Sequence, residues 1–265
     1  ATPLRASTLP TGSAETGARV LESLAPRLVP AILELSGCDA VFVLEGAEVD
    51  LVVRALRWGL RLNAGATCIA PRRIFVERAL AGELETRLGE AARGLAPVSV
   101  PAPVADRVAK FAADACAAGA RRIAPDGELI AGREGDTVSF RPVVLAGAKP
   151  DMELLQADVF APVMALVTVS GSDDALAQCA KCPYALGASV FGPAGRAREL
   201  ALRVRAGAVA VNDLIAPTAD PRLPFGGCGR SGFGVTRGPD GLLEMTALKT
   251  LSVRGGRFRP HYDDP

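Results

Sequence analysis

Asn63-Ala64-Gly65-Ala66-Thr67-Cys68-Ile69-Ala70-Pro71-Arg72-Arg73 is the segment that decides the fold and points to the chemistry. A helix ends, small residues intervene, and a cysteine sits immediately ahead of a strand. Gly65 and Ala66 leave room for a substrate or a backbone to come close. Arg72 and Arg73 predict positive potential around the thiol, which favours thiolate. A free cysteine is most often just a small buried hydrophobe, so the segment needs support from elsewhere in the chain.

That support lies upstream. Ala31-Ile32-Leu33-Glu34-Leu35-Ser36-Gly37 places a single carboxylate at the end of an apolar strand, ahead of a Ser-Gly turn. An acidic group there is costly to desolvate, so it is either paired in a salt bridge or used with a raised pKa.

Around these two segments strands and helices alternate, which predicts an α/β fold with a mainly parallel sheet flanked by helices. Ser13 is a candidate N-cap for a helix running to about Leu28. Strands are expected at 30–35 and 40–44, and a helix with an apolar stripe at 47–62. A strand at 74–76 and helices at 80–93 and 104–119 follow. Residues 121–145 read as strand-rich. The remainder reads as strand 163–169, helix 173–179, strand 187–191, helix 195–205 and strand 208–212. A Gly/Pro-rich run then leads to Gly241, and 248–253 is a last apolar segment. Thr11-Gly12-Ser13 resembles a strand-to-helix turn without its usual preceding units, so the chain is expected to begin mid-domain.

Composition removes several function classes. The 265 residues suffice for one core, or one domain plus part of another. A formal charge of +1, with no like-charge block, argues against a nucleic-acid partner. No apolar run reaches the roughly 18 residues of a membrane span, and the first ten residues lack signal-peptide character. A cytoplasmic protein without a membrane partner is expected. The six cysteines are irregularly spaced, so reduced thiols are expected. The single histidine, His261, lies in a polar tail, which leaves no imidazole for a catalytic triad, a Cys-His pair or a metal site. No metal is expected, and thiols and carboxylates must carry any chemistry.

Glu34-Leu35-Ser36-Gly37 resembles the Glu-Leu-Gly-Gly motif of the aldehyde dehydrogenases, and 63–73 resembles their Asn-Ala-Gly-Gln-x-Cys motif. The 34 positions between Glu34 and Cys68 are also that family's spacing. Thr11-Gly12-Ser13-Ala14-Glu15-Thr16-Gly17 is similar to its pyrophosphate-binding turn. Asp158-Val159-Phe160-Ala161-Pro162-Val163 is similar to its nicotinamide-ribose loop. Pro224-Phe225-Gly226-Gly227, with Ser231-Gly232-Phe233-Gly234, is similar to its C-terminal glycine-rich loop. The likeness runs from about Leu9 to Val253. Ser36, Ala66, Asp158 and Ala161 replace the family's usual Gly, Gln, Glu and Gly.

The resemblance implies an aldehyde dehydrogenase-like catalytic domain at 37–235, preceded by a partial Rossmann-like remnant of a dinucleotide-binding domain at 1–36. It further implies a C-terminal segment, 236–265, bearing an oligomerisation-type strand. By the same resemblance Cys68 is the nucleophile and Glu34 the base for deacylation. Gly12, Ser13, Gly17, Leu35, Asp158 and Phe160 would contact NAD or NADP, and the substrate would be a small aldehyde. The family's N-terminal half, with most of the dinucleotide site, has no counterpart here, so a homo-oligomer or pairing with that missing half is expected. A cofactor-independent thiol esterase and a non-catalytic interaction subunit are the alternatives. Two further patterns carry little weight. Gly227-x-Gly229-x-x-Gly232 lacks the strand–turn–helix setting of a dinucleotide loop. Cys179-x-x-Cys182 has no second ligand pair for zinc.

Overall fold

The computed structural model describes residues 8–253. His261 and its tail therefore lie outside the described residues. The chain opens with a strand–helix–strand unit: β1 (Thr11–Gly12), α1 (Ala14–Leu24) and β2 (Leu33–Leu35). Ser13 caps α1 as expected, its hydroxyl accepting from Thr16 N at 3.2 Å. The helix itself is shorter than the sequence predicts, because Pro26 follows and the chain tightens into a 3₁₀ turn at Ala25–Arg27.

Next come β3 (Asp39–Val43), α2 (Val49–Arg61), β4 (Pro71–Glu77) and α3 (Arg78–Arg93). After β5 (Val98–Pro101) and α4 (Ala102–Ala117), the strand-rich stretch resolves into β6 (Arg121–Ala124), β7 (Ile130–Glu134), β8 (Thr137–Phe140) and β9 (Val143–Ala146). The chain continues through β10 (Val163–Val169), α5 (Ser172–Cys179), β11 (Tyr184–Ala185), β12 (Gly187–Phe191), α6 (Ala194–Arg203) and β13 (Ala208–Val211). The Gly/Pro-rich run contains β14 (Cys228–Gly229), β15 (Gly232–Phe233) and α7 (Gly238–Glu244).

Seven strands form the central sheet in the order β13-β12-β3-β4-β10-β9-β6, parallel except for the antiparallel edge strand β6. Side chains alternate between its faces, as a period of two requires. Ala40 and Phe42 of β3, with Val163, Ala165 and Val167 of β10, join the core beneath α4 and α6. Val41 and Val43, with Met164 and Leu166, face the opposite core under α2 and α3. Both faces being covered explains why these strands are near-continuous apolar runs. β7, β8 and β5 form a separate antiparallel sheet. Local pattern marked 121–145 as strand-rich, which covers β7 and β8 but not β5, and could not say which sheet they join.

β4 is longer than expected because Arg72 and Arg73 lie within it, each only 3% exposed. The segment expected as a pairing strand, 248–253, joins no strand among the described residues. Those residues form no strand, and Leu248, Leu251 and Val253 are exposed. No ladder forms on that segment to pair its backbone groups.

Candidate active site

β2 carries Glu34 between β1, which runs parallel to it, and β15, which runs antiparallel. Leu33 and Leu35 point inward and are buried, so alternation turns Glu34 to the open face. Gly232 pairs with Glu34 in this small sheet. A Cβ on Gly232 would lie 1.9 Å from Leu33 O, so only glycine permits that approach. The Gly227-x-Gly229-x-x-Gly232 pattern is thus a packing loop against β2, not a phosphate cradle.

The cysteine loop is shaped by an unusual reversal. After α2, Asn63 and Ala64 adopt left-handed backbone angles (φ 47° and 54°), and Gly65 follows at φ 72°. The Asn63 side-chain amide donates to Ala66 O at 2.6 Å and closes the turn. A Cβ on Gly65 would sit 2.4 Å from the backbone of Ala161, so the loop must run against 159–162. Cys68 then lies half-buried at the entrance to β4, with its thiol donating to Glu34 Oε1 at 3.7 Å.

Burial, then the charges of Glu34 and Asp39, push the Cys68 thiol up to about 11. The expected activation by Arg72 and Arg73 is therefore corrected, since both guanidiniums are spent elsewhere. Arg72 donates to the carbonyls of Gly65, Val159, Ala161 and Val163. It clamps the cysteine loop to the loop carrying Asp158 and Phe160. Arg73 donates to Cys38 O at 2.7 Å and Cys179 O at 3.0 Å. The sequence did hold a signal, which was two arginines inside a strand otherwise bound for the core.

Gly12, Ser13, Glu34, Leu35, Cys68, Asp158 and Phe160 line one open cleft of about 630 Å³. Gly17 is not among the residues lining it. Gly17 is buried one turn along α1, where a Cβ would meet Leu35 Cδ1 at 2.6 Å, so it lets the helix pack on β2. Asp158 is held up by burial and drawn down by a hydrogen bond with Ser36 and by the Arg72 charge. The same Ser36 hydroxyl lies within hydrogen-bonding reach of Gly12 O, at 3.2 Å. Two of the substituted motif positions, Ser36 and Asp158, thus contact each other and the turn before α1.

Asp39, which the sequence did not single out, is buried at the start of β3 and accepts from Gly187 N at 3.0 Å. Burial pushes its carboxyl up to about 8 from an ordinary 3.8. The folded chain therefore holds a proton that the unfolded chain releases. The stability linked to that proton is full below about pH 4, drains as pH rises, and is gone above about pH 8. Asp39→Asn is expected to gain thermal stability relative to the parent between pH 5 and 8. A difference in melting temperature that stays constant across that range would contradict this.

A profile of the "Aldehyde dehydrogenase family" matches residues 8–251. The chain belongs to the aldehyde dehydrogenase family. A succinate-semialdehyde dehydrogenase [NADP(+)] of Deinococcus radiodurans is 33% identical over 259 residues, covering 94% of this chain and 54% of the relative. A betaine aldehyde dehydrogenase double mutant of Staphylococcus aureus, solved with NAD+, matches with a TM-score of 0.81 at 25% identity. That match covers 90% of this chain and 50% of the other. A salicylaldehyde dehydrogenase of Pseudomonas putida G7, complexed with salicylaldehyde, shares the fold with a TM-score of 0.87 at 24% identity. It covers 98% of this chain and 55% of that one. This aldehyde dehydrogenase chain spans about half the length of the curated relatives it matches. Among its described residues no helix is long and apolar enough to cross a membrane.

Proposed function

We propose that this chain supplies the thiol chemistry of an NAD- or NADP-dependent oxidation of an aldehyde to a carboxylate. One observation carries the reading, the Cys68 thiol 3.7 Å from the Glu34 carboxylate in a shared cleft.

The cleft suits the nicotinamide end of a dinucleotide. Gly12 adopts φ 156°, a backbone conformation that side-chain-bearing residues rarely take, and as glycine it keeps the N-terminus of α1 approachable. Helix N-termini favour phosphate, and Gly12 and Ser13 would take the pyrophosphate there. Leu35, Asp158 and Phe160 would hold the ribose and nicotinamide, with Gly17 acting through the packing of α1.

Cys68 Sγ adds to the aldehyde carbon, with Glu34 the acceptor nearest to its proton. The Cys68 backbone N–H steadies the developing alkoxide. When bound, the dinucleotide supplies the hydride acceptor. The acyl group left on Cys68 is a thioester, and Glu34 draws a proton from the water that hydrolyses it. The domain division at 1–36, 37–235 and 236–265 belongs to the same reading, as does pairing through 248–253 with a second copy or with a separate N-terminal half.

In an active preparation containing this chain, Cys68→Ala is expected to abolish formation of reduced nicotinamide. Glu34→Gln is expected to keep the first-turnover burst and lower the steady-state rate by about 10²–10⁴-fold. Turnover that survives Cys68→Ala would refute the assignment.

A further inference from the structure

A second group of thiols lies behind the segment that bears Glu34. Cys38, four residues beyond Glu34, forms a small buried cluster with Cys182 and Tyr184. Cys38 and Cys182 neighbour each other in this cluster, and the Cys38 thiol donates to Leu155 O at 3.8 Å. Arg73 stands beside them, bound to Cys38 O, and to the carbonyl and sulfur of Cys179. The neighbouring Cys38 thiol, then the Arg73 charge, lowers the Cys182 thiol, while Cys182 and burial raise that of Cys38. Cys182 is therefore the more acidic thiol of the pair. It is also the more accessible, at 8% exposure against 1% for Cys38.

The sequence pairs Cys182 with Cys179, but the fold separates their chemistry. Cys179 Sγ accepts from Arg73 at 3.5 Å, and burial pushes its thiol up. The cysteine that neighbours Cys182 in the cluster, Cys38, comes instead from just ahead of β3, far away in the chain.

We propose that Cys38 and Cys182 form a redox-modification site that hydrogen peroxide closes to an intramolecular disulfide. The Cys182 thiolate attacks one peroxide oxygen, so an S–O bond forms, the O–O bond breaks and hydroxide leaves. The Cys38 thiol gives up its proton and attacks the Cys182 sulfenic acid, forming the S–S bond and releasing water. Two thiols lose two electrons in total, and one peroxide becomes two waters. The site adjoins the nucleophile's loop, because a Cβ on the intervening Gly37 would lie 2.4 Å from Cys68 O. Cys68, protonated at rest with its pKa near 11, reacts with peroxide more slowly than Cys182.

The test treats the full chain with an equimolar amount of hydrogen peroxide, alkylates the remaining thiols in denaturant, and maps the non-reduced peptides by mass spectrometry. The expected result is a Cys38–Cys182 cross-linked peptide with Cys68, Cys116 and Cys179 alkylated, reversed by dithiothreitol. Cys182→Ser should lose the cross-link, and Cys38→Ser should leave Cys182 trapped by dimedone as its sulfenic acid. A Cys179–Cys182 cross-link, oxidation of Cys68 ahead of the pair, or full alkylation of Cys38 and Cys182 would each overturn the proposal.

Discussion

Arg72→Leu is expected to cost at least about 3 kcal/mol of stability and lower the melting temperature by roughly 6–12 °C. The guanidinium is buried and donates to four carbonyls on two separate stretches of backbone. A leucine fills part of the volume and supplies none of those donors, leaving buried acceptors unpaired at about 1–3 kcal/mol each. Burial lowers the guanidinium only to about 10, so Arg72 stays charged at neutral pH and its hydrogen bonds keep their charge-assisted strength. Arg72→Lys keeps the charge but loses the planar fork, and should fall between the two. Circular dichroism melts measure the effect. Either variant melting within about 2 °C of the parent would contradict the clamp. The Gly65 turn depends on the same contact, since its carbonyl is one of the four acceptors.

The second large effect concerns the reactivity of Cys68. With its pKa near 11, iodoacetamide should alkylate it on the order of a hundredfold more slowly at pH 7 than an ordinary exposed thiol. The rate should climb about tenfold per pH unit from pH 7 to 10. Thiolate is the reacting species, and raising pH toward 11 increases its share at each step. Cys116, exposed on α4, should be labelled first. A Cys68 rate that levels off below pH 9 would show that its thiol is not held up.

Much of this was legible from local pattern. The alternation of apolar runs predicted the parallel sheet, and two short motifs predicted that Cys68 and Glu34 would meet. That meeting depends on β2 lying beside the 159–162 region and the cysteine loop, a long-range arrangement that only the family resemblance could supply. The unread features are those in which partners come from distant segments. Arg72 and Arg73 look like surface charge until four carbonyls from two loops are seen to converge on the first and two cysteine carbonyls on the second. Cys182 has a cysteine three positions away in sequence, yet its neighbour in the buried cluster is Cys38 from across the fold. Segment 248–253 has strand-like composition but no neighbouring strand among the described residues to pair with. Asp39 follows a Gly-Cys pair like any loop acid, and only the parallel packing of β12 against β3 buries it.

The pH dependence of Cys68 alkylation in Glu34→Gln tests the central pairing most directly, and it requires no cofactor. Removing the carboxylate charge should shift the whole profile to lower pH and speed labelling at pH 8 by several-fold or more, while labelling of Cys116 stays unchanged. A Cys68 profile that superimposes on the parent's would mean that the thiol and the carboxylate do not share one site.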